Sequence, residues 1–138
     1  MKLIKCIFVI FFVNCNAYAA SNYFTDGLLF FEKDQLEKAK FKFEQDIVFN
    51  PRNEKSYLYL SKIFNRQDKN ELEEKNLNTV ILLNPKNEDA LYSLAKLRLK
   101  ESDFSGSKKL LEKLLTFCES FCQKSLKLKT EVENSIKN

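Results

Sequence analysis

The sequence contains no histidine and no tryptophan, and its 138 residues include only two glycines and two prolines. Without histidine, the commonest general base near neutral pH and the commonest metal ligand are both missing. Two glycines, far apart at Gly27 and Gly106, build no glycine-rich phosphate loop. The scarcity of helix breakers, with apolar residues recurring three and four apart, predicts helix along nearly the whole chain and no strand alternation. These absences point away from an enzyme: no catalytic residue, metal ligand set or cofactor is expected.

Apolar residues make up 44% and charged residues 30% of the chain, the balance of one small globular domain. The first residues depart from that average. Lys2 and Lys5 precede an unbroken apolar run from Ile7 to Val13, followed by Asn14-Cys15-Asn16 and the small-x-small sequence Ala17-Tyr18-Ala19. A basic end, a short greasy stretch and such a cleavage sequence read as a signal peptide over residues 1–19. Cleavage after Ala19 would leave a mature chain starting at Ala20, exported to a periplasm or secreted. The apolar run stops at Asn14, well short of the ~20 residues a membrane span needs, so no span is expected in the mature chain. Lipid attachment at Cys15 is disfavoured because Asn14 stands where a small residue normally precedes the modified cysteine.

Removing the leader takes Lys2 and Lys5 and no acid, so 23 basic residues become 21 against 19 acidic ones and the net charge falls from +4 to +2. The remaining lysines, such as Lys108, Lys109, Lys124, Lys127 and Lys129, have acids nearby and read as solvated helix faces, so nucleic acid is not an expected partner. Of the cysteines, Cys118 and Cys122 remain, and in an oxidising compartment they can pair. Their spacing is neither that of a Cys-x-x-Cys redox motif nor that of a zinc site. They straddle a predicted turn, and the reading is open between a disulfide that fixes the last helix and two buried thiols.

Asn50-Pro51 recurs 34 residues later at Asn84-Pro85, and rows of that length bring further columns into line. Tyr23, Tyr57 and Leu91 form one column, and the small residues Gly27, Ser61 and Ala95 another. Phe43, Leu77 and Leu111 form a third, and Ile47, Ile81 and Leu115 a fourth. Asp34, Asp68 and Ser102 fall where a second helix would begin, and read as N-caps, with Glu37 and Glu71 completing capping boxes. Each Asn-Pro ends a second helix, and Asn53 and Asn87 cap the helix that follows. The resulting hairpins run over residues 22–33 with 35–49, 54–66 with 69–83, and 88–100 with 103–117. A last helix over 121–136 would cover the third hairpin with Phe121, Cys122, Ser125, Leu128, Val132 and Ile136.

These columns resemble the tetratricopeptide repeat. The first unit has Tyr23, Gly27, Phe30, Ala39, Phe43 and Pro51 at matching places. The second has Tyr57, Leu60, Ser61, Phe64, Leu77, Val80 and Pro85, and the third Leu91, Leu94, Ala95, Ser107, Leu111 and Leu114. Glu73 departs from the pattern where a small residue is expected, Arg98 replaces an aromatic, and Cys118-Glu119 replaces the third Asn-Pro. The resemblance implies an all-α, right-handed superhelical stack of three repeats (20–53, 54–87 and 88–119) with a capping helix over 120–138.

It further implies a concave groove lined by the first helix of each hairpin. By register the groove residues are Phe24, Leu28, Phe31, Lys55, Tyr59, Lys62, Arg66, Tyr92, Lys96 and Leu99. Aromatic faces beside Lys62, Arg66 and Lys96 suit a peptide or protein partner that offers apolar anchors and acidic groups. Phe24 and Leu28 stand where a carboxylate clamp would need polar residues, so a clamp of that kind is not expected. The acids Glu71, Glu73 and Glu74 read as an exposed helix start, favoured there by the helix dipole, and not as paired catalytic carboxylates. The rival reading is a structural subunit of an envelope complex, contacting neighbours through its convex face and last helix, with Phe31, Phe49 and Phe104 as interface.

Overall fold

The computed structural model describes residues 22–137 and places seven helices there: α1 (Tyr23–Glu32), α2 (Leu36–Phe49), α3 (Glu54–Arg66), α4 (Asn70–Leu83), α5 (Glu88–Lys100), α6 (Phe104–Leu115) and α7 (Cys122–Lys137). The signal-peptide reading, Cys15 and the cleavage point at Ala19 lie outside the described residues. Helices pack in consecutive pairs, α1 with α2, α3 with α4 and α5 with α6, and each pair meets the next through α2 with α3 and α4 with α5. The last helix, α7, packs on α6 and touches α5. Among the described residues there is no strand, and no helix is long and apolar enough to cross a membrane.

The repeating columns are the core. Phe43, Leu77 and Leu111 are each fully buried between the helices of their hairpins, as are Val80, Leu91, Ala95 and Leu114. The small-residue column works by contact: a Cβ on Gly27 would stand 2.6 Å from the Phe43 ring. One unit later, Ser61 folds its hydroxyl back onto the Leu58 carbonyl, 2.7 Å away. In the third unit the Ala95 carbonyl accepts from Ser107 Oγ at 2.7 Å. In the first hairpin a small residue thus faces a large one, and in the third two small residues meet, so that the paired helices approach closely.

The hairpin turns differ from the expectation. Asp34, Asp68 and Ser102 are not N-caps, because they sit at φ 56°, 53° and 63°, in the left-handed region. There they end the first helix of each pair. Asp34 N–H donates to Phe31 O at 3.1 Å and Gln35 N–H reaches back to Phe30 O at 2.9 Å. The same pair of bonds recurs at Asp68 with Lys69 and at Ser102 with Asp103. This is the helix-ending motif usually supplied by glycine, and Asp is tolerated because its short polar side chain adapts to the left-handed geometry. The true N-caps are Gln35 and Lys69, which make no side-chain cap bond, and Asp103, which accepts from Gly106 N–H at 2.8 Å. Glu37 and Glu71 accordingly complete no capping box. Asn53 and Asn87 do cap α3 and α5, accepting from Lys55 N–H and Ala90 N–H.

Ser102 has the least reason to stay left-handed, since its side chain makes no bond among the described residues. Ser102→Gly is expected to stabilise the protein by roughly 0.5–1 kcal/mol by removing the left-handed cost. The measurement is the midpoint of urea unfolding, and a midpoint that does not rise refutes the strain.

Two acids of α4 also depart from the sequence reading. Glu73 is not on an exposed helix start but only 3% exposed, and Asn65 Nδ2 donates to both of its oxygens at 3.1 and 3.0 Å. The asparagine is how a large acid is accommodated where the repeat would place a small residue. Glu74 is half-buried and pairs with Arg98, which also meets Glu101 and Asp103, so the arginine in the aromatic position ties α4, α5 and α6 together. On α7, Ser125, Leu128 and Val132 are buried as expected, but Ile136 is exposed. Phe104 packs against the third core cluster and is not a free interface residue.

Candidate partner-binding groove

An open cleft of about 690 Å³ runs along the first helices from α1 to α5 and is closed at its far end by α7. Of the residues placed in the groove by register, Phe31, Lys62, Arg66, Tyr92, Lys96 and Leu99 line it. Phe24, Leu28 and Tyr59 do not. They lean on the first core cluster around Phe43, where the Tyr59 ring stacks on Phe43 at 5.2 Å and the Phe24 ring tilts against it at 5.8 Å. Lys55 is exposed but lies outside the cleft. Six of the ten residues placed by register thus line the cleft, and the three nearest the first hairpin turn inward onto the Phe43 cluster.

The groove cations are not equivalent. Lys62 Nζ pairs with Asp89 at 2.6 Å and lies over the Tyr59 ring, so its charge is largely answered. The Arg66 guanidinium rests 4.5 Å from the Phe31 ring centre and reaches Asp34 at 2.9 Å. Its equivalent one unit on, Lys100, meets Asp68 at 3.0 Å. Lys96 is exposed in the cleft and has no ion pair among the described residues. Glu73 lies in the cleft wall, and burial pushes its carboxyl above the usual range even though the Asn65 bonds pull the other way.

The far wall was not foreseen. Lys124, Leu128 and Glu131 come from α7 and Phe121 from the residue just ahead of it, a segment which the sequence reading treats only as a cover for the third hairpin. Phe121 sets its edge on Tyr92 at 5.6 Å, and Lys124 lies over both rings. Lys100 was legible, being 34 residues from Arg66, but the wall was not, because α7 has no counterpart in the earlier rows.

The loop that begins this wall is held by one carboxylate. Glu88, at the start of α5, accepts from the backbone N–H groups of Glu119 (2.7 Å), Ser120 (3.0 Å) and Phe121 (2.8 Å). One unit earlier Glu54 accepts from the side chains of Asn84 and Asn87, so Glu88 does with backbone what Glu54 does with asparagines. The Cys118–Cys122 disulfide closes the same loop, with the Cα atoms 5.4 Å apart. The amide bonds, that from Glu119 foremost, hold the Glu88 carboxyl below its usual range. A depressed carboxyl contributes stability that is present above its unfolded value of 4.5 and is lost as pH falls through the folded value. Urea unfolding of Glu88→Gln is therefore expected to show a lower midpoint than the parent at pH 7 and a shallower decline on acidification below about 4.5. Parallel acid limbs in the two proteins would refute that role.

No protein-family model and no curated protein matches the sequence. The fold does have relatives among solved structures. The first TPR of Spaghetti (RPAP3), bound to the HSP90 peptide SRMEEVD, superposes with a TM-score of 0.77 at 16% identity, covering 84% of this chain and 91% of that one. The TPR2B domain of yeast Sti1, in a complex with pHsp70, gives 0.75 at 14% identity, over 82% of this chain and 94% of that one. The type III secretion translocator chaperone SycD of Yersinia enterocolitica gives 0.75 at 11% identity, over 84% and 92%. At these identities the likeness establishes the fold: a stack of tetratricopeptide-like helical hairpins.

Proposed function

We propose that this tetratricopeptide-like stack is a non-enzymatic protein-interaction module of the cell envelope or periplasm, which takes a partner peptide or protein in the cleft between α1 and α7. The observation that carries the reading is the cleft itself, where exposed Lys96, with no ion pair among the described residues, shares the lining with the aromatic side chains of Phe31, Tyr92 and Phe121. An acidic group on Lys96 flanked by apolar anchors on those rings is the complementary ligand. The peptide and chaperone complexes of the structural neighbours support a role in binding, and the leader-like residues 1–19 support export.

The test uses a labelled peptide in which glutamates alternate with leucine and phenylalanine. Lys96→Glu is expected to weaken its binding by about tenfold or more, equivalent to ~1.4 kcal/mol. Lys55→Glu, the same charge change outside the cleft, serves as the control. Equal losses from the two substitutions would show that only net charge matters, and would sink the groove.

A second reading has one observation of its own. Val48 and Leu82 are 74% and 81% exposed at equivalent places on α2 and α4, an apolar pair on the outer helices. It favours a structural subunit that contacts an envelope neighbour through its convex face.

A further inference from the structure

The last helix is attached unevenly. Its middle is sunk in the third core cluster through Leu128 and Val132, and Ser125 one turn before them is also fully buried. Its first three residues, Cys122 to Lys124, include no buried one, although Lys124 and Phe121 just ahead of the helix form part of the groove's far wall. The attachments there are the surface bonds to Glu88, the contacts of Phe121 and Lys124 with the Tyr92 ring, and the disulfide. Hydrogen bonds at a surface compete with water and are weak singly, so the covalent link is the attachment that cannot fray. A disulfide separated by four positions closes too short a loop to contribute much to overall stability. Its effect is local. It holds residues 119–121 in the arc that points three successive amides at one carboxylate.

We propose that the Cys118–Cys122 disulfide is a redox latch on the groove: its reduction frees residues 119–124 and with them the Phe121 and Lys124 part of the far wall, while Leu128, Glu131 and the rest of the stack stay in place. The consequence for binding rests on the groove reading above, whereas the structural step does not. The reductant is a cysteine dithiol. One of its thiolates attacks a sulfur of the pair, the S–S electrons leave on the other cysteine, and the second thiol of the reductant displaces the mixed disulfide. Two electrons and two protons pass to Cys118 and Cys122, and the dithiol becomes a disulfide. An ordered wall binds a ligand at lower entropic cost than one that must be assembled, so the oxidised form is the tighter binder.

The experiment compares the full chain oxidised, reduced with a small dithiol, and as the Cys118→Ser/Cys122→Ser variant. Amide hydrogen exchange is read residue by residue, and binding is read with the glutamate-rich peptide described above. On reduction, exchange at residues 119–124 is expected to rise about tenfold or more while residues 128–132 keep their protection. Peptide affinity should fall about tenfold, and the serine variant should match the reduced protein with and without dithiol. Unchanged exchange at 119–124 overturns the latch, and so does loss of protection extending through 128–132, which would make the disulfide a staple for the whole helix. Faster exchange with unchanged affinity overturns its control of the groove. A peptide bound by neither form refutes the groove reading instead, and the exchange data then decide the structural step by themselves.

Discussion

Phe43→Ala is expected to lower the free energy of unfolding by about 3–5 kcal/mol, a large part of what a domain of this size possesses. Phe43 is fully buried, and its ring meets Tyr59, Phe24 and the bare backbone face of Gly27 together. The cavity left by alanine cannot collapse easily, because those neighbours are fixed on two other helices, α1 and α3. The damage should reach the groove. Tyr59 stacks on Phe43, Phe31 sets its edge on Tyr59 at 5.1 Å, and Arg66 lies over Phe31, so a chain of rings joins the core to a cleft cation. Urea unfolding gives the cost, and a loss below about 1 kcal/mol would mean that the first hairpin is not packed as described.

Asp46→Val is expected to cost about 2–3 kcal/mol, and most of that should be recoverable by a second change. Asp46 is 3% exposed at the end of α2, where it accepts from Asn50 Nδ2 at 3.0 Å, Asn53 Nδ2 at 2.6 Å and the Ser56 hydroxyl. Removing the carboxylate strands Ser56 Oγ in a fully buried place. The next unit solves the same junction differently: the residues 34 positions on from Asp46 and Ser56 are Val80 and Ala90, both fully buried. The double variant Asp46→Val/Ser56→Ala copies that apolar junction and should be at least ~1 kcal/mol more stable than the sum of the single changes predicts. Chemical denaturation of the four proteins closes the cycle, and simple additivity would show that the carboxylate–hydroxyl bond is not what holds the junction.

These two positions also show how far the sequence could be read. Phe43 was legible because it shares a column with Leu77 and Leu111, and an apolar column at fixed spacing has one physical meaning, a shared buried face. Asp46 was not, because it breaks its column, and nothing in a row of letters says that Ser56 and two asparagines converge on it. Asp34, Asp68 and Ser102 were found at the right place and given the wrong role, since a short polar side chain suits both a helix start and a left-handed helix end. For Glu73 the departure from the repeat was visible, but its remedy, Asn65 on the facing helix, was not. Six of the ten residues placed by register line the cleft, but its far wall on and beside α7 was not legible, because a terminal helix obeys no column.

The left-handed turns have a consequence for recognition. Glycine would ease the backbone there, but it would also remove the carboxylates of Asp34 and Asp68, which hold Arg66 and Lys100 of the neighbouring unit. An incoming acidic chain therefore meets no bare row of cations: Lys96 and Lys124 have no ion pair among the described residues, and the other guanidinium and ammonium groups are already engaged by internal acids. Binding along the row becomes an exchange of one counter-charge for another, close to neutral in Coulomb energy and screened by salt on both sides. Small anions gain little from such an exchange. Selectivity then falls to whatever a ligand adds on the flanking rings, so the turns that end each first helix also set a threshold that charge alone does not cross.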